Sequence, residues 1–242
     1  MQQLIGIAVA GVVAGVINGT VGGGSLLTYA VLTLMGTPPV LAAATNTTGL
    51  STGNAAALIP HRDGSTVELG RWRWHALWTA AGALCGGLML ILLPEKVFEF
   101  LVPILLVSAS LMMLRKPREI HLDPAPASRT RALLWASGIY NGYFGPGQGV
   151  IAISILIRDG RLSMGQAVVI KNLVLAWSNV VVAVLFIATG HVLWPAALVL
   201  LGSVAVGGWW GGTVAHRINP LVLRYGVAGV GLLSAVWFLV GR

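Results

Sequence analysis

Ten apolar stretches separated by short polar breaks run along the chain, at about 3–18, 24–35, 40–59, 74–93, 97–114, 132–144, 147–157, 163–189, 192–213 and 220–240. A membrane-crossing helix needs about 20 predominantly apolar residues at ~1.5 Å of rise each. The stretches at 40–59, 74–93, 97–114, 163–189, 192–213 and 220–240 meet that length and read as full spans. Those at 24–35, 132–144 and 147–157 cover little more than half a bilayer. The short pieces come in pairs joined through glycine-rich tips, 3–18 with 24–35 and 132–144 with 147–157.

The same pairs carry an internal repeat. Gly15, Asn18, Gly19, Gly22 and Gly24 align at constant offset with Gly138, Asn141, Gly142, Gly145 and Gly147. Further on, Ala42, Asn46 and Asn54 align with Ala167, Lys171 and Asn179 after a two-residue insertion in the connection Arg158–Arg161. The chain therefore divides into a first membrane repeat, 1–114, a basic linker, 115–131, and a second repeat, 132–242. The expected fold is an all-α polytopic membrane protein. Each repeat supplies one glycine-tipped helix pair, re-entrant or broken, and three transmembrane helices.

Composition agrees with that class. The 242 residues are 56% hydrophobic and only 9% charged, against roughly a quarter charged in soluble domains. No Asp, Glu, Lys or Arg occurs before Ile59, and Lys171 is the one charge between Leu162 and Val214. The net charge of +8 is not a nucleic-acid signal, because the cations cluster in short connections, as cytoplasmic loops do. If each short pair returns to its own side, the connections 61–73, 115–131, 158–161 and 214–224 share one face and hold all 15 Lys and Arg except Lys96, Lys171 and Arg242. The positive-inside rule makes that face cytoplasmic and puts both termini outside. Three crossings per repeat make the repeats inverted. Two full spans in place of each pair would keep the same parity. The start lacks the basic region of a secretory signal, so residue 4 onward reads as mature protein, and the single Cys85 rules out an internal disulfide.

Irregular backbone at membrane depth is tolerated where protein buries it or where it lines a polar cavity. Gly22, Gly23 and Gly24 followed by Ser25, and Gly145 and Gly147 followed by Gln148, are such places. Adjacent glycines can turn N–H groups onto an anion, aided by the dipole of the following helix. The competing reading is close helix packing, since Gly11, Gly15, Gly19 and Gly23 recur every four residues. For Gly207, Gly208, Gly211 and Gly212 packing is the expected role. Lys171 lies deep in its span and marks a functional pathway unless that span starts late. Asn18, Asn46, Asn54, Asn141 and Asn179, with Thr45 and neighbouring hydroxyls, complete the candidate site. Every carboxylate falls in a loop or at a helix start, and His75, His191 and His216 fall near segment ends, where they read as interfacial. A cation or metal pathway would need acidic, His or Cys ligands in the membrane, and no nucleophile–base pair suggests an enzyme. No cofactor is expected.

Gly15-xx-Asn18-Gly19-xx-Gly22-Gly23-Gly24, then Pro38-Pro39-xx-Ala42-xx-Thr45-Asn46, with a second copy through Gly145, Gly147, Ala167, Lys171 and Asn179, resembles the TauE/SafE family of bacterial sulfite and organosulfonate exporters. The likeness covers almost the whole chain. Pro146 and Gln148 depart from it, standing where the first copy has Gly23 and Ser25. The resemblance implies export of small oxyanions such as sulfite, sulfonates or related carboxylates from a multi-pass protein of the bacterial inner membrane. The expected partners are a small anion and the lipid bilayer, with no nucleic acid; the oligomeric state is left open. An integral membrane scaffold whose glycines only pack helices, and an anion channel, are the alternatives.

Overall fold

The computed structural model describes residues 2–20, 22–59, 69–114, 126–159, 162–214 and 220–240. Among them the chain is helical: α1 (Gln2–Thr20), α2 (Ser25–Leu34), α3 (Pro39–Ala56), α4 (Arg73–Leu92), α5 (Glu95–Leu114), α6 (Ala127–Tyr143), α7 (Gln148–Arg158), α8 (Met164–Ala188), α9 (Trp194–Val214) and α10 (Pro220–Val240), with one 3-10 turn at Leu69–Trp72. Much of the basic connections 61–73 and 115–131, together with Asp63, Glu68, Glu119, Asp123 and His216, lies outside the described residues.

Helix boundaries follow the apolar pattern closely because bilayer thickness and terminal signals fix both ends. Pro39 opens α3 at its first turn, where its missing N–H costs nothing. Ser163 and Gln166 close a reciprocal capping box at the start of α8, Gln166 N–H donating to Ser163 Oγ and Ser163 N–H to Gln166 Oε1 at 3.0 Å. Two expectations need correction. α1 is long and apolar enough to cross a bilayer, because its glycines continue the helix as a packing stripe to Thr20. Among the described residues α1, α4, α5, α8 and α9 are long and apolar enough to cross; α3, expected as a span, has 18 residues but is not one of them. Its Thr and Asn side chains face protein, so its low apolar content is bought by burial rather than by lipid contact.

Close glycine contacts fix the helix directions. Gly11, Gly15 and Gly19 of α1 meet Ser203, Val204 and Gly208 of α9 in ascending order, and Gly49 and Gly53 of α3 meet Leu200 and Val204. Helices α1, α3 and α9 therefore run parallel. Gly82 and Gly86 of α4 meet Trp135 and Ile139 of α6, while Gly138 and Gly142 of α6 meet Thr79 and Ala83. Helices α4 and α6 are parallel as well. Helix α8 runs with α4: Gly87 faces Val182 and Leu185, and Trp72 and Ala76 share an apolar cluster with Ala167, Ile170 and Val174. It runs against α1, since its early residue Lys171 reaches Asn18 while α1 ends against α9's last turns.

Both short pairs double back. Gly24 sits at Ala14 and Met35 at Gly6, so α2 retraces α1. Thr130 at the start of α6 donates to the Asp159 carboxylate at the end of α7, so α7 retraces α6. Asp159 is thus buried at 1% exposure rather than loop-exposed, and His75, expected at an interface, is buried against Trp72 with ring centroids 4.6 Å apart. The outer surface carries large apolar side chains, among them Phe100, Val184, Leu198, Val206 and Leu233, a covering suited to hydrocarbon. Cys85 is exposed on that surface.

Candidate functional site

A polar cavity lies where the two doubled-back pairs and the helices after them meet. Its walls are Asn18 (α1), Ser25 (α2), Asn46, Thr47, Leu50 and Asn54 (α3), Asn141 (α6), Gly145 before α7, Gln148 and Gly149 (α7), and Leu175 and Asn179 (α8). About 20 Å³ is open to the centre of a water molecule, close to what a single water occupies. Among the described residues no carboxylate lines it.

The backbone reversals bring those residues together. Gly22, Gly23, Gly145 and Gly147 take φ of 85°, 95°, 94° and 87°, a region that a Cβ penalises. Gly22 and Gly149 touch: a Cβ on Gly22 would stand 2.9 Å from the Gly149 Cα. The two tips therefore pack on each other through bare backbone, and flanking residues of both line one space.

Hydroxyl bonding separates site residues from packing residues. Thr20, Thr33, Thr48 and Thr79 each donate back to a carbonyl of their own helix, as buried hydroxyls commonly do. Thr45 accepts from Leu193 N–H at 2.9 Å and ties α3 to the start of α9. Among the described residues the hydroxyls of Ser25 and Thr47, both cavity-lining, have no hydrogen-bond partner.

The amides divide the same way. Asn46 is spent on protein, donating to Ser25 O at 3.1 Å and accepting from Thr28 Oγ1 at 2.6 Å. Asn18 Oδ1 accepts from Gly24 N–H at 2.8 Å, leaving its NH2 without a partner among the described residues. Asn141 Nδ2 donates to Asn179 Oδ1 at 2.9 Å and to Ser178 Oγ at 3.1 Å. Asn54 lines the cavity with no hydrogen-bond partner among the described residues, and its Oδ1 is buried.

The candidate residues thus fall into two groups. Asn18, Ser25, Asn46, Asn54, Asn141, Gly145, Gln148 and Asn179 share the cavity; Gly22, Gly23, Gly24, Gly147, Thr45 and Lys171 do not line it. The tip N–H groups are partly committed, Gly22 N–H donating to Ile17 O at 2.8 Å and Gly24 N–H to Asn18. Lys171 is fully buried one layer behind the wall, its Nζ donating to the Asn18 carbonyl, while Asn172 Nδ2 donates to Gly19 O at 3.4 Å. Both bonds satisfy last-turn carbonyls of α1, where a cation also meets the negative end of the helix dipole. Thr47, Leu50, Gly149 and Leu175 are additional wall residues. The signal for two of them was present in the sequence: Thr47 and Leu50 precede Asn54 at helical spacing on one face of α3.

A sequence profile of the family described as "Sulfite exporter TauE/SafE" matches residues 7–238. The chain is 28% identical over 233 residues to a probable membrane transporter protein, ORF9, of Sinorhizobium sp., covering 91% of this chain and 88% of that one. It is 26% identical over 220 residues to a probable membrane transporter protein of Haemophilus influenzae, covering 88% and 86%. With the probable membrane transporter protein YfcA of Escherichia coli K12 it shares 28% over 211 residues, covering 85% and 76%.

Proposed function

This chain belongs to the sulfite exporter TauE/SafE family, a family of membrane transporters and not of enzymes, and on that premise we propose that it exports small oxyanions through the cavity between two inverted repeats. The observation that carries the reading is the cavity itself. Helices of both sequence repeats build its wall, donors without protein partners line it, and no acid among the described residues opposes an anion. Inversion is supported by the helix directions: α1 and its counterpart α6 run opposite ways, as do α3 and α8. Partner choice supports it too, because α1 and α3 pack on α9 as α6 and α8 pack on α4.

The anion's oxygens meet the NH2 groups of Asn18 and Asn179 and the hydroxyls of Ser25 and Thr47. Lys171 supplies positive charge from behind Asn18. Sulfite, organosulfonates and related anions are the substrate class, and the bacterial inner membrane is the site of action. The cavity is too tight for such an anion as it stands, so entry requires the tips to part, as rocking of inverted repeats does. An interior-negative potential then drives anions outward by about 2.3 kcal/mol per charge per 100 mV.

Proteoliposomes loaded with radiolabelled sulfite or methanesulfonate test this. Protein-dependent, saturable efflux that accelerates with an interior-negative potential is the expected result. Flux that rises linearly with concentration would favour a channel, and no flux of any oxyanion would leave a membrane scaffold. Topology is a separate expectation. Single cysteines placed at 115–125 should label only from the cytoplasm, and one at Gly190 or at Gln2 only from outside. Cytoplasmic labelling at Gln2 would remove the inverted arrangement.

A further inference from the structure

Hydrogen-bond partners that can only donate, or only accept, fix which end of four cavity amides is left over, those of Asn18, Asn141, Asn179 and Gln148. Gly24 N–H can only donate, so it meets Asn18 Oδ1 and leaves Asn18 Nδ2 as a donor. The Ser178 hydroxyl donates to the Leu175 carbonyl at 3.2 Å, so it must accept from Asn141, and the Asn141 atom facing it is Nδ2. That same Nδ2 donates to Asn179 Oδ1, which leaves Asn179 Nδ2 as a second donor and Asn141 Oδ1 as an acceptor. The Ser137 hydroxyl donates to the Leu134 carbonyl at 2.9 Å, so it accepts from Gln148 Nε2 at 3.2 Å. Gln148 Oε1 is left buried without a partner.

The wall is therefore two-sided. Donors come from Asn18 on α1 and Asn179 on α8; the acceptors left over are Asn141 Oδ1 on α6 and Gln148 Oε1 on α7, the latter buried without a partner, while Asn54 on α3 has no bond that fixes its amide. Asn141 and Gln148 are only 4% and 2% exposed, so their free oxygens have no bulk water to turn to. A site meant only for an anion's oxygens would turn these amides round, since a buried acceptor facing an anion is repelled and stays unpaired. Backbone-anchored serines forbid the turn.

We propose that the cavity selects a singly charged oxyanion that carries its own N–H or O–H donor. Its oxygens lie toward Asn18 and Asn179, and its donor lies toward Gln148 Oε1 and Asn141 Oδ1. This rests on the anion reading and narrows it. An oxyanion without a donor leaves both acceptors unpaired, which a hydrogen-bonding site penalises far more than a change of bulk.

Sulfamate and methanesulfonate form the test pair: near-isosteric monoanions at neutral pH, of which only sulfamate has N–H donors. Titration calorimetry on the purified full chain should show sulfamate binding about tenfold more tightly or better. Gln148→Leu should bring the two affinities together. Ser137→Ala frees the Gln148 amide to turn its Nε2 inward, so it should erase the preference by tightening methanesulfonate, a gain that simple loss of packing does not produce. Equal affinities in the unaltered protein overturn this proposal and leave the anion site standing. Binding of neither anion overturns both. A sulfamate preference that survives both Gln148→Leu and Ser137→Ala removes Gln148 as the acceptor and overturns the assignment. The comparison in the unaltered protein decides even where a variant fails to fold.

Discussion

Lys171→Gln is expected to lower oxyanion efflux by at least about 30-fold while the protein still purifies and melts near the parent temperature. At an effective dielectric of about 20, unit charges about 8 Å apart attract by roughly 2 kcal/mol, a factor of about 30. Glutamine keeps an N–H donor for the Asn18 carbonyl, so the last turn of α1 stays capped and the charge alone is removed. The charge is concentrated in its effect because Lys171 is wholly buried and, among the described residues, its one contact by hydrogen bond or ion pair is that carbonyl. Lys171→Arg keeps the charge but must fit a planar, wider head into a site with no free space, so partial flux and lower stability are expected. Lys171→Met removes charge and donor together and should lose stability as well, because the Asn18 carbonyl is stranded. Efflux and thermal melting on the same preparations separate these outcomes. Full flux from Lys171→Gln would reduce Lys171 to a pin holding α1.

Element positions were legible because two strong constraints write them into the sequence. Hydrocarbon thickness sets the length of each apolar stretch, and proline or glycine marks the breaks. Only α6 departs by several residues, starting at Ala127 rather than near 132, since Ser128 to Arg131 continue the helix in polar surroundings that hydropathy does not read as helix. Asn18, Asn46, Asn141 and Asn179 could be grouped because polar side chains in apolar helices have few places to go. Which of their atoms remain free was not legible. Asn46 is consumed by Ser25 and Thr28, and Asn18 is half consumed by Gly24, through contacts that depend on how far each pair doubles back. Lys171 shows the same limit. Depth in a span marks it as unusual, but only the chain reversal after Thr20 shows that it meets a carbonyl instead of the cavity. Burial of His75 and Asp159 was missed for a related reason: a position near a segment end says nothing about the neighbour that covers it.

The glycines allow the largest stability effects, and their order discriminates backbone contact from side-chain contact. A Cβ on Gly142 would stand 1.9 Å from Ala83 O and 2.6 Å from Gly87 N. Both are backbone atoms of α4, so Gly142→Ala must push two helices apart, at the upper end of the ~1–3 kcal/mol that overpacking costs. A Cβ on Gly24 would stand 2.2 Å from Ala14 O, backbone again. Gly24→Ala should therefore cost about 2 kcal/mol. It should also weaken anion affinity, because the displaced Gly24 N–H is what orients Asn18. Sequence reasoning, with Gly24 assigned to an anion tip, leads to affinity loss with stability spared; the geometry couples the two losses. Gly11 is the contrast. Its added methyl would meet side-chain atoms only, Ser203 Oγ, which can rotate away at the loss of its bond to Val199 O, and Ser203 Cβ at 3.0 Å, which must give by a few tenths of an ångström. Gly11→Ala should cost about 1 kcal/mol or less and leave affinity unchanged. Thermal melting and anion titration on the three variants read the order Gly142, Gly24, Gly11 for stability, with affinity falling at Gly24 but not at Gly11. A Gly24→Ala protein that melts like the parent yet binds weakly would return that N–H to the anion, and a Gly11→Ala protein less stable than Gly142→Ala would refute the backbone-contact account.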